Sequence, residues 1–213
     1  MEAGRRVYDL QVESVDTIIS EAAAVFDAST VGRGVALDIR VATGLPQILA
    51  DRSAIEDALV NLLTNAYKYT GDEKKIAIGA RADEKFVYLW VRDNGIGIPR
   101  GEHRRVFEKF YRVDERLSRA IEGSGLGLAV VWSIVKGHGG WVQVESKVGE
   151  GTTFTLWLPA TTAIPPVPGT PRNSPVRHGL ALVMDDEAEP RRTMAVMLRH
   201  LGFDCLEASS GEA

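Results

Sequence analysis

Apolar and polar residues recur with recognisable periods along residues 35–70. Residues 35–41, "VALDIRV", alternate between apolar and polar types, which predicts a half-buried strand. Asp51 can cap a helix, and the apolar residues after it recur at spacings of three and four. This spacing predicts a helix with one face towards a core. The residues of that face are Ile55, Leu59, Leu62, Leu63 and Ala66.

The patterns up to residue 159 predict further strands and one more helix. "KIAIGA" and "KFVYLWVRD" are typical of a pair of strands, and "WVQVES" and "TTFTLWLP" of a final hairpin. Between them, "LGLAVVWSIVKGHGG" predicts a helix that ends at glycine. Helices combined with a mostly antiparallel sheet predict a two-layer α/β sandwich.

Proline separates this region from a short tail. Six of the nine prolines lie between Pro159 and Pro175, where no apolar period survives. Proline-rich backbone is extended and unpaired, which predicts an interdomain linker. The first region, of about 160 residues, has the size of one domain, whereas the tail of about 35 residues is shorter than a normal domain.

Composition narrows the possible partners. The chain has 213 residues and a formal net charge of -4, so it has no general attraction for nucleic acid or anionic lipid. No apolar run approaches the roughly 20 residues of a membrane span, and we expect no membrane contact in this segment. Cys205 is the one cysteine, which excludes an internal disulfide and suits a reducing cytoplasm.

The polar face of the helix predicted after Asp51 carries amides and a lysine. Asp57, Asn61, Asn65 and Lys68 are spaced by four, four and three residues and share one side. Asparagine is a mediocre helix former, so two of them one turn apart need an explanation. The face is either merely solvated, or its amide oxygens bind Mg²⁺ while the lysine meets a phosphate.

A second candidate site is "VRDNGIGI", residues 91–98, where a strand ends in Asp93 followed by Gly95 and Gly97. A carboxylate at a strand end can accept a hydrogen bond from an exocyclic amine such as that of adenine. The glycines would let a flat ring approach the backbone. Turns after strands are often rich in glycine, so an ordinary turn stays an alternative.

The third candidate is "EGSGLGLAVV", with Gly123, Gly125 and Gly127 before an apolar helix. Leu128 stands where both the P-loop and the Rossmann patterns require glycine, so neither motif is present. The segment is then a flexible hinge or a helix start whose N–H groups favour an anion. The long polar connection before it, which begins with "FEKFYR", indicates a disordered segment or a lid.

The order "NLLTNAYKYT", "DNGIGI", "FEKFYR", "GSGLGL", "GEGTTFTLWLP" resembles the ATP-binding catalytic domain of sensor histidine kinases. The wider superfamily holds gyrase, a heat-shock chaperone and MutL. The resemblance covers residues 13–160 and implies a mixed, mostly antiparallel sheet with three helices on one face. It also implies ATP between sheet and helices, beneath a mobile lid.

The resemblance assigns roles at the phosphate end of the site. Asn65 is the implied ligand of the Mg²⁺ that accompanies ATP, with Asn61 one turn earlier. Lys68 and Arg112 are implied to face the phosphates, and with Asn65 they form the implied catalytic set. The implied lid hinge and the start of the phosphate-facing helix comprise Gly123, Gly125, Leu126 and Gly127.

The resemblance also assigns the adenine end. Asp93 is the implied reader of adenine, with Gly95 and Gly97 beside the ring. Tyr69 is implied to pack near the base or ribose. Thr152 is implied to support Asp93 and the adenine through water.

One position separates kinase from ATPase. Hydrolytic members of the superfamily carry a glutamate where this chain has Asn61, so we expect phosphoryl donation to a protein histidine. A hydrolysing ATPase and a non-catalytic ATP-sensing scaffold are the alternatives. No histidine here is followed by the acceptor sequence, so we expect the acceptor on a dimerisation helix upstream of Met1. Residues 1–12 would connect to it, and we expect the full-length protein to be a homodimer that can be membrane-anchored.

The tail, residues 179–213 after a linker at 161–178, resembles the beginning of a flavodoxin-like response-regulator receiver. Asp185 and Asp186 are the implied carboxylates of an incomplete Mg²⁺ site. The aspartate that receives phosphate in such domains belongs to a later strand. We therefore expect a partly ordered fragment that is not phosphorylated, and a response regulator or receiver domain as the downstream partner.

Overall fold

The structure is a computed structural model. It describes residues 7–31, 35–113, 124–161, 180–184, 195 and 204–209. The chain divides into two compact units, Met1–Pro165 and Pro166–Ala213.

The first unit holds seven strands and three α-helices among its described residues. Two short 3₁₀ helices, at Arg100–Glu102 and Arg105–Phe107, follow the fifth strand. Over the described part of the chain, no helix has both the length and the apolar content that a bilayer crossing requires. The elements in order are β1 (Gln11–Glu13), α1 (Val15–Ser29), β2 (Leu37–Val41), β3 (Gln47–Ala50), α2 (Arg52–Tyr69), β4 (Ile76–Ala82), β5 (Phe86–Arg92), α3 (Gly127–Gly137), β6 (Trp141–Lys147) and β7 (Gly151–Thr161).

The strands form one mixed sheet in the order β1-β3-β7-β5-β4-β2, and β6 also pairs with β7. Only the β2–β4 pair is parallel within this sheet. The long strand β7 pairs with β5 from Thr153 to Pro159 and with β6 from Gly151 to Trp157. The predicted mixed, mostly antiparallel sheet is therefore confirmed.

The core lies between the sheet and the three helices. Alternate residues of the central strands are buried there, such as Val87, Leu89 and Val91 of β5. Successive side chains of a strand point to opposite faces, so this alternation places all three helices on one face. Each large aliphatic side chain that is fully buried contributes about 1.5–3 kcal/mol. The buried helix residues include Ile18, Phe26, Ile55, Leu59, Leu63, Val131 and Ile134.

Helix α2 begins and ends on side-chain hydrogen bonds. The Asp51 carboxylate accepts the N–H of Ala54 at 3.1 Å, which confirms the predicted N-cap. At the other end the Lys74 ammonium donates to the carbonyls of Tyr67, Thr70 and Gly71 at 3.1, 2.6 and 3.0 Å. All five residues of the predicted apolar face are buried.

Three elements of the first unit were not predicted from the pattern. Helix α1 begins after Ser14, whose hydroxyl accepts the N–H of Thr17 at 3.5 Å. Strands β1 and β3 contain only 3 and 4 residues, too few to show a period. The predicted half-buried strand at residues 35–41 is confirmed for Val35, Leu37 and Val41, which are partly buried against the core, whereas Ile39 of this edge strand is 49% exposed.

The second unit contains a parallel pair of strands among its described residues. Strand β8 (Leu180–Met184) pairs with β9 (Asp204–Ala208), with Leu180 opposite Asp204. Val183 and Ala195 are buried. Asp185 and Asp186 lie outside the described residues, so the magnesium site predicted there stays a prediction.

Candidate functional site

The polar face of α2 meets the first residue of α3. A Cβ atom added to Gly127 would lie 3.1 Å from Asn61 Oδ1 and 3.8 Å from Asn65 Nδ2. Glycine therefore lets the helix start close against both amides. No side-chain hydrogen bond caps this helix at Leu126, so the N–H groups of its first turn have no intrahelical partner. The structure thus brings Asn61, Asn65 and Gly127 together.

The two amides differ in what they bind within the protein. Asn61 Nδ2 donates to the carbonyl of Asp57 at 2.9 Å, which leaves its Oδ1 directed at Gly127. The half-buried side chain of Asn65 makes no hydrogen bond to any residue that the structure describes. A half-buried amide without a partner beside a helix N-terminus is suited to bind an external polar group.

The residues at this point fit a magnesium ion that arrives with phosphate. The described ranges hold no group of three His, Cys, Asp or Glu side chains that could ligate a metal ion. Mg²⁺ commonly takes one or two oxygens from protein and the others from phosphates and water. The side-chain oxygen of Asn65 would be one such ligand, and the N-terminus of α3 favours an anion.

Asp93 follows β5 and is buried, with 8% of its surface exposed. Its Oδ1 accepts the N–H of Gly95 at 2.8 Å and that of Thr152 at 3.2 Å. Burial raises the pKa of the Asp93 carboxyl, and these two N–H donors oppose the increase. No hydrogen bond from a described residue reaches Oδ2. This oxygen can therefore accept a hydrogen bond from a ligand.

Thr152 supports Asp93 through its backbone. Its N–H bonds the Asp93 carboxylate, and its carbonyl accepts the N–H of Asp93 at 2.9 Å. The Thr152 hydroxyl lies 2.9 Å from the hydroxyl of Ser146. The water-mediated role predicted for Thr152 stays a prediction, because the contact present here is direct and uses the main chain.

Ser146 belongs to the same network, and the sequence patterns did not reveal it. It lies opposite Thr152 in the β6–β7 pair. Its hydroxyl accepts the N–H of Ile98 at 2.7 Å and lies 3.0 Å from the carbonyl of Gly151. This one side chain therefore connects the loop after Asp93 with the hairpin that supports Asp93.

The loop after Asp93 also packs against the end of α2. The N–H of Ile96 donates to the carbonyl of Tyr69 at 3.1 Å, and a Cβ on Gly95 would lie 2.4 Å from that carbonyl oxygen. Gly97 has φ +71°, and a Cβ there would lie 2.1 Å from the carbonyl oxygen of Lys147. Both glycines are required by close backbone contacts. Their predicted position beside an adenine ring stays a prediction.

Asn94 is a structural residue inside the same motif that the sequence patterns also missed. Its Oδ1 accepts the N–H of Lys75 at 2.8 Å, and its Nδ2 donates to the carbonyl of Glu73 at 2.9 Å. It therefore holds the loop between α2 and β4 against the loop after β5. Within "DNG", the aspartate faces the site and the asparagine joins two loops.

The connection between β5 and α3 is anchored at both described ends. Phe107 packs edge-on against Phe154, with ring centroids 6.1 Å apart. The N–H of Phe110 donates to the carbonyl of Gly125 at 3.0 Å. Phe110 has φ 64° and is 72% exposed, and Gly125 has φ +68°. Residues 114–123, including Gly123, lie outside the described residues, so the predicted lid stays a prediction.

The remaining predicted residues lie near these groups in the chain. Lys68 is exposed on α2, one residue before Tyr69 and three after Asn65. Arg112 is half-buried two residues after Phe110. Their roles as phosphate contacts stay predictions.

Comparison with known proteins agrees with this geometry. Residues 50–162 match the family described as histidine kinase-, DNA gyrase B-, and HSP90-like ATPase. The chain is 35% identical over 167 residues to the circadian input-output histidine kinase CikA of Synechococcus elongatus, covering 78% of this chain and 22% of that protein. It is 38% identical over 163 residues to the sensor-like histidine kinase SenX3 of Mycobacterium tuberculosis, covering 75% of this chain and 39% of that protein.

A solved structure is similar over nearly the whole chain. This is full-length ShkA in complex with AMPPNP, at 25% identity and a TM-score of 0.66, covering 98% of this chain and 42% of that one. The chain spans less than half the length of these curated relatives and of ShkA. The family match covers more than half of the chain and includes α2, the Asp93 loop and α3. The chain therefore belongs to the histidine kinase-, DNA gyrase B- and HSP90-like ATPase family.

Proposed function

We propose that this chain is the ATP-binding catalytic module of a two-component sensor histidine kinase. The observation that carries the proposal is that two polar clusters lie along the C-terminal half of α2: the amides of Asn61 and Asn65, and the loop that follows Asp93. Asn61 and Asn65 face the uncapped start of α3 at Gly127. Farther along the same helix, the carbonyl of Tyr69 holds the loop that follows Asp93. A single nucleotide could therefore bind the amides with its phosphates and the Asp93 loop with its base.

The adenine end would be bound by Asp93. Its Oδ1 is occupied by two N–H donors of the protein, whereas its Oδ2 is available to the exocyclic amine of a purine. Because two backbone N–H groups hold Oδ1, a rotation of the carboxylate to follow a different base would break these hydrogen bonds. A purine without an exocyclic amino group, such as hypoxanthine, would lose this hydrogen bond.

The phosphate end would lie between Asn65 and the N-terminus of α3. Bound ATP supplies the phosphoryl group, and a bound Mg²⁺ ion lowers the charge of the phosphates. Asn65 would provide an oxygen to that ion, and the first N–H groups of α3 would donate to phosphate oxygens. Lys68 and Arg112 would add positive charge from α2 and from the connection before α3.

Transfer to a protein histidine, and not hydrolysis, is favoured by the side chain at position 61. A carboxylate facing the phosphates could remove a proton from water, whereas an amide cannot act as a base. Asn61 also has its Nδ2 committed to the carbonyl of Asp57 at 2.9 Å. The protein would therefore orient ATP and shield its charge, and the acceptor histidine would supply the nucleophile.

The partners of the full-length protein follow from this reaction. We propose that the acceptor histidine lies on a dimerisation domain, that the full-length protein is a homodimer, and that a response regulator or receiver takes the phosphoryl group. The relatives are named sensor and input-output histidine kinases, which supports a role in phosphotransfer signalling. A cytoplasmic location suits the same chemistry, because ATP and the reduced Cys205 belong to that compartment.

For the tail we propose the beginning of a receiver domain. The support is the parallel pairing of β8 and β9, which needs a crossover connection between the strands, as βαβ folds have. A 176–213 peptide is expected to unfold without cooperativity, because it cannot complete a sheet. Cooperative thermal unfolding of that peptide, followed by circular dichroism, would contradict this assignment.

The proposal is tested by phosphotransfer in trans. The purified chain would be mixed with γ-labelled ATP, Mg²⁺ and a dimerisation domain that carries the acceptor histidine. Acid-labile, base-stable label on that domain is expected, and it should disappear with Asn65→Ala and with a His→Ala change at the acceptor. Binding of ATP by the chain alone would be measured in parallel by calorimetry.

The alternatives predict different products. Release of free phosphate without labelled protein would identify a hydrolysing ATPase. ATP binding with neither product would favour the non-catalytic scaffold. No detectable ATP binding at millimolar nucleotide would reject the proposed site itself.

A further inference from the structure

The buried His138 joins the end of α3 to the beginning of α2. Its Nε2 lies 2.9 Å from the backbone nitrogen of Asp51, whose N–H it accepts. The other ring nitrogen, Nδ1, therefore carries the proton and donates to the carbonyl of Ile134 at 2.7 Å. Only 6% of the His138 surface is exposed. Nδ1 thus fixes the ring on its own helix, and Nε2 joins that helix to the beginning of α2.

The position of this contact relates it to the phosphate end of the site. Helix α3 begins at Gly127, against Asn61 and Asn65, and His138 follows its last residue. The two ends are about 16 Å apart along the helix, and Asp51 precedes Asn61–Asn65 by about 15–21 Å along α2. The helices are therefore antiparallel and in contact at both ends. Fixing one end sets how far α3 can slide along α2 at the other.

The N-terminal segment packs on the same contact. The Tyr8 ring lies 4.7 Å from the His138 ring, and a Cβ on Gly137 would lie 2.1 Å from the Tyr8 ring. The N–H of Asp9 donates to the Asp51 carboxylate at 3.2 Å. Asp51 thus receives hydrogen bonds from this segment and from α2, while its own N–H binds the end of α3.

We propose that His138 and Asp51 form a positioning pair that sets the distance between the N-terminus of α3 and the amides of Asn61 and Asn65. This proposal rests on the nucleotide-binding function proposed above, and the pair would act on the phosphate end of the nucleotide site. Hydrogen bonds to phosphate need donor–acceptor distances of about 2.7–3.2 Å, so a shift of α3 by about 1 Å weakens them. Asp93 is held by Gly95 and Thr152 instead, so the adenine end does not depend on the pair.

The test measures binding at the phosphate end and at the adenine end of the site separately. Affinities for Mg²⁺·ATP and for adenosine, which has no phosphates, would be measured well below the melting temperature by calorimetry or chemical-shift titration. His138→Asn can still donate to Ile134 from the Nδ1 position but cannot reach the N–H of Asp51. His138→Gln can place its Oε1 where Nε2 lies, and so keeps the acceptor.

We expect His138→Asn to weaken Mg²⁺·ATP binding about five- to tenfold, the effect of about one lost hydrogen bond, and to leave adenosine binding unchanged. His138→Gln should bind ATP within about twofold of the wild type. Tyr8→Ala, which removes the ring that packs against His138, should weaken ATP binding about two- to threefold. Val87→Ala, a buried change at the far end of β5, serves as a control for stability alone.

The inference is overturned if His138→Asn binds ATP as the wild type does, or if it loses adenosine affinity to the same degree. It is also overturned if Val87→Ala, at a matched melting temperature, weakens ATP binding equally. A wild-type chain that binds neither ligand would instead reject the proposed function, and the positioning pair with it.

Discussion

The Asp93 carboxylate accepts the backbone N–H of Thr152 at 3.2 Å across 59 residues of sequence, and the N–H of Asp93 donates back to the Thr152 carbonyl at 2.9 Å. This reciprocal pair joins the end of β5 to the beginning of β7. It fixes one oxygen of a buried carboxylate, and no hydrogen bond from a described residue reaches the other oxygen. The orientation of the Asp93 carboxylate is therefore set by the backbone of the sheet and by the N–H of Gly95.

Asp93→Asn should weaken ATP binding without lowering the thermal stability of the protein. An asparagine Oδ1 can still accept both N–H bonds, and the substitution removes a buried charge, so we expect the melting temperature to stay equal or rise. The new NH₂ group would meet the exocyclic amine of adenine, donor against donor. Affinity for ATP should fall at least about 100-fold, because one hydrogen bond is lost and the two donor groups repel each other. Calorimetry with ATP and thermal unfolding would measure the two effects.

Asn94→Ala is the matched control for that change. It removes the two hydrogen bonds to Lys75 and Glu73, which hold the loop after α2 against the loop after β5 and do not involve the Asp93 carboxylate. We expect a loss of about 1–2 kcal/mol in the free energy of unfolding, with ATP affinity retained below the transition. Equal losses of affinity in both variants would show that Asp93 acts only through the fold.

Asn65→Ala should abolish the contribution of magnesium to ATP affinity while leaving the fold unchanged. The Asn65 side chain makes no hydrogen bond to a described residue, so its removal costs the protein little, and alanine is the better helix former. Titrations of ATP with and without Mg²⁺ should become superimposable. A variant that keeps the full magnesium effect would exclude Asn65 as the ligand.

Much of the fold could be predicted from periodicity, because α2, α3 and the central strands bury one regular face. The polar residues of the candidate site were predictable for a related reason: Asn61 and Asn65 interrupt the surface of a good helix, and Asp93 ends an apolar strand. Their exact partners were not, since the contact of Gly127 with Asn61 depends on where two helices cross. No local pattern encodes that crossing.

The sequence did not reveal residues whose role depends on backbone groups that are far away in sequence, or it revealed only part of that role. Ser146 and Asn94 are ordinary polar residues in sequence, and their importance comes from N–H and carbonyl groups that the fold brings to them. The pattern at "KGHGG" indicated only that a helix ends at glycine there. The bond of His138 to Asp51, 87 residues earlier, follows from the antiparallel packing of α2 and α3.

Lys74→Met should destabilise the end of α2 that carries Lys68 and Tyr69. Methionine keeps the aliphatic chain but removes the ammonium that donates to three carbonyls. We expect a loss of about 1 kcal/mol and a decrease of about 2–4 °C in melting temperature. Lys75→Met, whose side chain is exposed, is the control and should change the melting temperature little. Equal melting temperatures for the two variants would argue against the lysine cap.

The Arg52 guanidinium lies among three carboxylates, and this imbalance predicts a dependence of stability on pH. Its Nε is 3.1 Å from Glu21, 3.5 Å from Glu56 and 3.7 Å from Glu13. One cation cannot offset three anions, and Glu56 is buried whereas Glu21 is partly exposed. Burial, followed by the hydrogen bond with Glu21, raises the pKa of Glu56 to about 9. Glu56 is therefore protonated in the folded protein at neutral pH.

Glu56→Gln should accordingly flatten the pH profile of unfolding. Unfolded Glu56 ionises near its ordinary pKa of 4.5, so between 4.5 and about 9 the folded state holds more protons than the unfolded state. The stability of the wild type is therefore fully present below pH 4.5 and decreases as the pH rises towards 9. Glutamine cannot ionise, so the melting temperature of the variant should exceed that of the wild type by an amount that increases over this range. Glu84→Gln, an exposed turn residue with the same change of charge, should leave the slope unaltered, and a slope that persists in Glu56→Gln would assign it to another group.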